Sequence, residues 1–268
     1  MSTIIRCGYV DTDSGQLHYR EAGDRSLTPL LLLHQSPSSS EMYLALMDKL
    51  AGRYWCIAPD NPGFGNSAAD FGKPVSEIDV GDYACSIHQC LQGLGIDRCA
   101  VFGHHSGAAI AVQLEHDYPG TASAMVLSGP TLFSEAMKAA LPAMSAPFPQ
   151  DESGSHLLGM WERLRGKDPS VELNLSLREL RLAFTAGEHY QQAYAACGAQ
   201  DFAGQLPAIE CPVLVFAGAN DPLRDAVAPT LALLQRGSTV DIGPSRTYVC
   251  EQDADKVAAV IEEFLANG

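Results

Sequence analysis

Within five residues, Gly103-His104-His105-Ser106-Gly107 places two imidazoles and a hydroxyl between an apolar run, Arg98–Phe102, and a helix-forming stretch, Ser106–Tyr118. A small residue on each side lets a strand pass into a helix through a tight turn. The middle side chain, His105, is then thrown outward above the sheet. The first N–H groups of the helix point at the same spot, so an anion is stabilised there. A neutral imidazole in that position suits general-base work, with water or a substrate carbon or hydroxyl supplying the proton. Ser106 stands one place later. Sliding the register by one residue makes it the exposed nucleophile, with Gly103 three residues ahead and Ala108 where the second glycine would be. Both registers are open at this stage.

Other chemistries find less support. His104 and His105 are adjacent and His34 is expected near the same pocket, but neighbouring residues on a turn project differently, so no metal is expected. Residues 103–107 do not form a G-x-G-x-x-G pattern and there is no phosphate-binding loop, so no organic cofactor is expected. The 268 residues carry 17 Lys and Arg against 32 Asp and Glu, a formal charge of −15. That balance argues against a nucleic-acid partner and against docking on anionic lipid. The longest apolar run, Leu30–Leu33, is too short to span a membrane. Met1–Val10 has one Arg and no long apolar run, so no signal peptide is expected. The eight cysteines are scattered without a C-x-x-C pair and read as reduced thiols of a cytoplasmic protein. The expected partner is a small-molecule substrate, and the expected state a monomer or homodimer.

The elements that must carry His105 follow from the apolar patterning. Strand-like runs at 4–10 and 16–20 flank Asp13-Ser14-Gly15, a hairpin signal. Further strands are expected at Leu30–Leu33, Tyr54–Ala58, Arg98–Phe102, Ala124–Leu127 and Pro212–Ala217. Helices are expected at 41–51, Asp79–Leu94 and Ser106–Tyr118. The chain ends on an amphipathic helix from Asp253, with Val257, Val260, Ile261, Phe264 and Leu265 on one face. Buried runs alternating with helices mean a mostly parallel sheet covered on both faces. From about Thr131 to Leu206 the rhythm breaks: prolines and short helical patches replace strands. This stretch reads as a helical insertion over the strand ends, or as ordinary packing helices.

Three segments occur in order: Leu33-His34-Gln35-Ser36-Pro37, Asp60-Asn61-Pro62-Gly63-Phe64-Gly65-Asn66-Ser67, and Gly103–Gly107. With the strand–helix alternation and the placement of the insertion, they resemble the α/β-hydrolase superfamily. The resemblance implies an α/β-hydrolase fold: a mostly parallel central sheet with helices on both faces and a helical cap, with core 1–130 and 207–268 and cap 131–206. It makes Gly103–Gly107 the nucleophile elbow, with His105 where Ser, Cys or Asp usually stands. Phe216–Pro222 resembles the late acid loop, which makes Asp221 the acid; Asp221 also suits an N-cap for the helix after Pro222. No His follows His189, and counting back from Glu251 puts Arg246 at the base position. An Arg stays protonated and is no base. It is expected to pair with Asp221 through its fork and to keep His105 neutral.

The same resemblance assigns the oxyanion donors to the backbone N–H groups of Ser36 and Ser106. His34 orders its loop or touches ligand, and Gln35 lines the pocket or clips the loop. Trp161, Tyr190 and Tyr194 line an aromatic pocket or pack within the insertion. His156 and His189 read as solvent-facing residues of that insertion. The implied function is an enzyme acting on a small, mostly apolar carbonyl compound, with His105 as general base or nucleophile. Ester, lactone, amide or C–C bond hydrolysis and a lyase or isomerase step through an enolate all fit. The alternative is a small-molecule binding protein that kept the pocket and lost the Ser-His-Asp triad.

Overall fold

Eight strands form one sheet in the order β1-β2-β4-β3-β5-β6-β7-β8 in the computed structural model, which describes residues 3–267. Met1, Ser2 and Gly268, the outermost residues of the core limits drawn from sequence, lie outside the described residues. β1 (Arg6–Thr12) and β2 (Gly15–Ala22) make the expected hairpin, with Gly15 at φ 95° in the turn. β2 pairs antiparallel with β4 (Tyr54–Pro59). All later pairings are parallel, through β3 (Thr28–Leu33), β5 (Cys99–His104), β6 (Ala122–Ser128), β7 (Val213–Phe216) and β8 (Gly237–Thr239).

Alternation along the central strands sorts the core onto two faces. Leu31, Leu33, Val101, Met125, Leu127, Val213 and Val215 face one side. There they meet α2 (Val80–Gly93) and α3 (Ser106–Asp117). Leu30, Leu32, Phe102, Val126, Leu214 and Phe216 face the other. They meet α1 (Leu44–Leu50) and, near the C-terminus, Val257 and Ile261. α2 starts at a capping box between Asp79 and Asp82, which satisfies backbone N–H groups at its first turn. The sequence places seven strands; it misses β8, whose Gly-Ser-Thr run is exposed throughout and has no apolar signal.

Between β6 and β7 the chain makes no strand. It runs through α4 (Glu135–Ser145), α5 (Ser155–Lys167), α6 (Leu173–Ala186), α7 (Glu188–Ala199) and α8 (Phe202–Gln205). Met160, Leu164, Ala183, Tyr190 and Ala193 of this segment join the core on the α2–α3 side. Arg178 of α6 holds Glu179 and Glu251, and Ser38 donates to Glu179 at 2.9 Å, so charged contacts also tie α6 to the core. After β7 come α9 (Val227–Leu233), α10 (Val249–Gln252) and α11 (Ala254–Asn267). All eight cysteines are free thiols. Among the described residues, no helix is long and apolar enough to cross a membrane.

Candidate active site

The bend between β5 and α3 has its apex at His105, with φ 49° and ψ −115°. Among the described residues it is the one non-glycine residue with positive φ. Backbone in such a region costs about 1–3 kcal/mol and persists where its surroundings impose it. Here the surroundings are two glycines at van der Waals limits. A Cβ at Gly107 would lie 1.9 Å from the Leu33 carbonyl oxygen, and one at Gly103 would lie 2.4 Å from the Gly107 carbonyl oxygen. The His105 N–H donates to the Ser128 carbonyl at 2.9 Å, locking the bend to β6.

His105 Nε2 lies 2.9 Å from Asp221 Oδ2, and the carboxylate is almost fully buried. Asp221 Oδ1 accepts the Leu223 N–H at 2.8 Å, so the residue also caps its own turn, as the alternative sequence reading has it. Burial alone would raise the Asp221 pKa. The His105 ring, through its charge and its hydrogen bond, and the Leu223 N–H outweigh burial and bring it down to about 2. An ionised carboxylate only accepts, so His105 Nε2–H donates to it, and Nδ1 is the ring nitrogen left to exchange a proton with a ligand. Nδ1 has no hydrogen-bond partner among the described residues, and His105 lines a cavity of about 510 Å³.

His104, behind it, is fully buried and stacked on His105 with ring centroids 4.1 Å apart. Its Nε2–H donates to the Thr247 carbonyl at 2.8 Å and its Nδ1 accepts from the Ser128 hydroxyl at 2.9 Å. Burial pushes its pKa down to about 3, so it stays neutral and fixes the ring plane that supports His105.

Several expectations need correction. Arg246 forms no salt bridge with Asp221: His105 and the Leu223 N–H occupy that carboxylate, and Arg246 is an exposed residue on the cavity wall. The Ser36 N–H is not open to an oxyanion, because it donates to Ser106 Oγ at 2.7 Å. The two serine hydroxyls lie 3.1 Å apart at the cavity wall. The Ser106 N–H, in the first turn of α3, has no acceptor among the described residues and is left for a ligand. His34 does not line the cavity. It is buried, with Nδ1–H donating to the Gln35 carbonyl and Nε2 accepting the Asn61 N–H, so it orders the loop between β3 and the Asp60 turn. Trp161 is half-buried away from the cavity lining, and of the aromatic set only Tyr194 lines it, with Tyr190 packed edge-on behind. His156 and His189 also lie outside the lining. Gln35 does line it.

Sequence reasoning missed Gly129. It sits at φ 64°, and a Cβ there would fall 2.3 Å from His105 Cδ2, so its bare backbone is the floor under the imidazole. The turn-like Ser128-Gly129-Pro130 after a strand is the one signal that pointed to it. Also missed are Thr131, whose buried Oγ1 has no partner, and two cations of α5, Arg163 and Lys167, on the cavity wall. Cys197 lines the cavity too, but burial raises its thiol pKa to about 12, so it is no thiolate nucleophile. Among the described residues, no cluster of three or more His, Cys, Asp or Glu is placed to hold a metal ion.

Comparison with known proteins fits this fold. The profile of the alpha/beta hydrolase fold matches residues 28–231. The chain is 32% identical over 140 residues to an uncharacterized hydrolase of Saccharomyces cerevisiae, covering 51% of this chain and 47% of that one. It is 32% identical over 117 residues to a soluble epoxide hydrolase of Corynebacterium sp., covering 44% and 39%. The matched stretches thus span about half, or less, of these relatives' length. The crystal structure of a hydrolase from Pseudomonas aeruginosa superposes with a TM-score of 0.82 at 19% identity, covering 97% of this chain and 98% of that one. With the parallel sheet, the strained bend after β5 and the acid loop after β7 in place, the chain belongs to the alpha/beta hydrolase fold family.

Proposed function

We propose that this protein is a hydrolase in which a His105–Asp221 dyad replaces the serine triad and acts on a small carbonyl compound. The observation that carries this reading is the 2.9 Å Nε2–Oδ2 contact at a strained apex that opens on the cavity. His105 Nδ1 takes a proton from a water molecule as that water's oxygen bonds to the substrate carbonyl carbon. The Asp221 carboxylate stabilises the imidazolium that forms, and does not itself take the proton. The carbonyl oxygen becomes an oxyanion beside the Ser106 N–H and the positive end of α3. As the tetrahedral adduct collapses, Nδ1–H returns the proton to the leaving oxygen. An ester or lactone fits this sequence, since its leaving group is an alkoxide that one imidazolium can protonate. The helices of 131–206 act as the cap that closes the cavity and limits water. Gln35, with its amide at the wall, orients the substrate.

The test is turnover of p-nitrophenyl esters and γ-lactones by wild type and by His105→Gln. The variant is expected to lose about 100-fold or more in kcat. Equal rates in the two proteins would remove His105 from the mechanism. A second reading is a small-molecule binding protein. What favours it is that, among the described residues, no hydroxyl is hydrogen-bonded to His105 and Ser106 Oγ meets only Ser36, so the serine-triad route has no base. Stabilisation by ligand without turnover on any panel member would establish that reading instead.

A further inference from the structure

The cavity wall has the opposite charge to the rest of the molecule. The chain has 32 acidic residues against 17 Lys and Arg, yet Arg163, Lys167 and Arg246 line the cavity and, among the described residues, no Asp or Glu does. Arg163 and Lys167 stand four residues apart on α5, where like charges repel across one helical turn. Neither has a carboxylate within 4 Å among the described residues. The other cations between β6 and β7 are satisfied: Lys138 by Glu135, Arg178 by Glu179 and Glu251, Arg181 by Glu41, and Arg165 by backbone carbonyls and Ser176. Arg163 Nη1 is buried and has no hydrogen-bond partner among the described residues, with its guanidinium 4.2 Å from the Phe148 ring centroid. A buried donor without an acceptor is costly. The contact of Lys167 Nζ is a hydroxyl, that of Tyr194, at 3.4 Å. The same wall carries the apolar side chains of Phe133, Met137, Leu141 and Leu223.

We propose that the cavity recognises a carboxylate-bearing amphiphile: its anionic end is held by Arg163, Lys167 and Arg246, and its apolar body lies along Phe133, Met137, Leu141 and Leu223. The guanidinium fork matches a carboxylate in shape and charge, and supplies the acceptor that Arg163 Nη1 lacks. Binding of the anion stands on the cavity alone. That such an anion is also the substrate, with its scissile carbonyl at His105, rests on the hydrolase reading above.

Calorimetric titration with octanoate, 1-octanol and octylamine separates charge from chain length. Wild type is expected to bind octanoate and to bind 1-octanol and octylamine at least about tenfold more weakly, with the octanoate affinity falling as salt rises. Arg163→Gln and Lys167→Gln are each expected to weaken octanoate binding about tenfold, and Arg236→Gln, an exposed site remote from the lining, to leave it unchanged. Equal affinity for octanoate and 1-octanol, or full affinity in the Arg163→Gln/Lys167→Gln double variant, would overturn the proposal. Circular dichroism on each variant confirms that the fold is retained. His105→Ala keeps all three cations and is expected to bind octanoate like wild type. Full turnover in that variant with cation-dependent octanoate binding would sink the dyad and leave the anion site standing. The dyad stands and the anion site falls if His105→Ala is dead and octanoate binding ignores the cations.

Discussion

Two histidine–aspartate pairs in this protein have the same 2.9 Å separation, His18–Asp60 and His105–Asp221, and they are built for different ends. Asp60 is fully buried and accepts from His18 Nδ1, from the Ser40 N–H and hydroxyl, and from the Asn66 N–H. Its lone pairs are spoken for, and it ties β2 to the helical turn at Ser40 and to the Asn66 turn. Asp221 accepts from His105 and from the Leu223 N–H, and its partner ring sits on a strained backbone at a cavity wall. Both carboxyls are held at about 2 against the upward push of burial, so the depressed pKa does not tell a structural pair from a chemical one. What separates them is the surroundings: His105 stands on a positive-φ bend and lines the cavity, and His18 does neither.

The contrast breaks most sharply in paired variants. Asp221→Asn is expected to lower kcat about 100-fold or more on any ester that wild type turns over, because the ring loses its orientation and its counter-charge. Asp60→Asn is expected to do the reverse, lowering stability by about 3 kcal/mol in urea titrations while the folded fraction keeps kcat within about threefold. A loss of activity from Asp60→Asn as large as from Asp221→Asn would erase the distinction. Next in size is Gly107→Ala, whose methyl would collide with the Leu33 carbonyl. It is expected to cost about 3 kcal/mol and to disturb the bend, read as a lower Tm together with a fall in kcat.

Acid titration sharpens the same comparison. Each carboxyl binds its proton more weakly in the folded chain, at about 2, than in the unfolded chain, at about 3.9. The stability they supply is therefore complete above about pH 4 and is lost as pH falls through about 2. Urea midpoints measured from pH 5 downward are expected to drop for wild type. The fall should be shallower in Asp60→Asn by on the order of 2 kcal/mol. The smallest effect is expected at Trp161: Trp161→Phe should leave kcat and KM within about twofold, since the indole does not line the cavity.

The fold was legible because its signals are local. Leu30–Leu33, Tyr54–Ala58 and Pro212–Ala217 are apolar runs long enough to be buried strands, and Gly103 and Gly107 announce a close approach that the structure displays at 1.9–2.4 Å. His105 and Asp221 followed from those turns, and the structure brings them together. What stayed hidden depends on direction across space. Chain order alone pairs Asp221 with Arg246, whereas Gly129 leaves room for the His105 ring to reach the acid. Position in the loop suggests Ser36 as an oxyanion donor, but the hydroxyl of Ser106, 70 residues away, claims its N–H. Arg163 and Lys167 carry no signal in the sequence that sets them apart from other helix charges; their place on the cavity wall does.

The proposed chemistry needs an imidazole, not an alcohol, at the apex after β5. Steady-state kcat for ester hydrolysis in His105→Ala and Ser106→Ala, each compared with wild type, addresses this directly. A fall of about 100-fold or more in His105→Ala with less than about tenfold in Ser106→Ala is the predicted result. Retained turnover in His105→Ala with an inactive Ser106→Ala would contradict it and hand the chemistry to the serine.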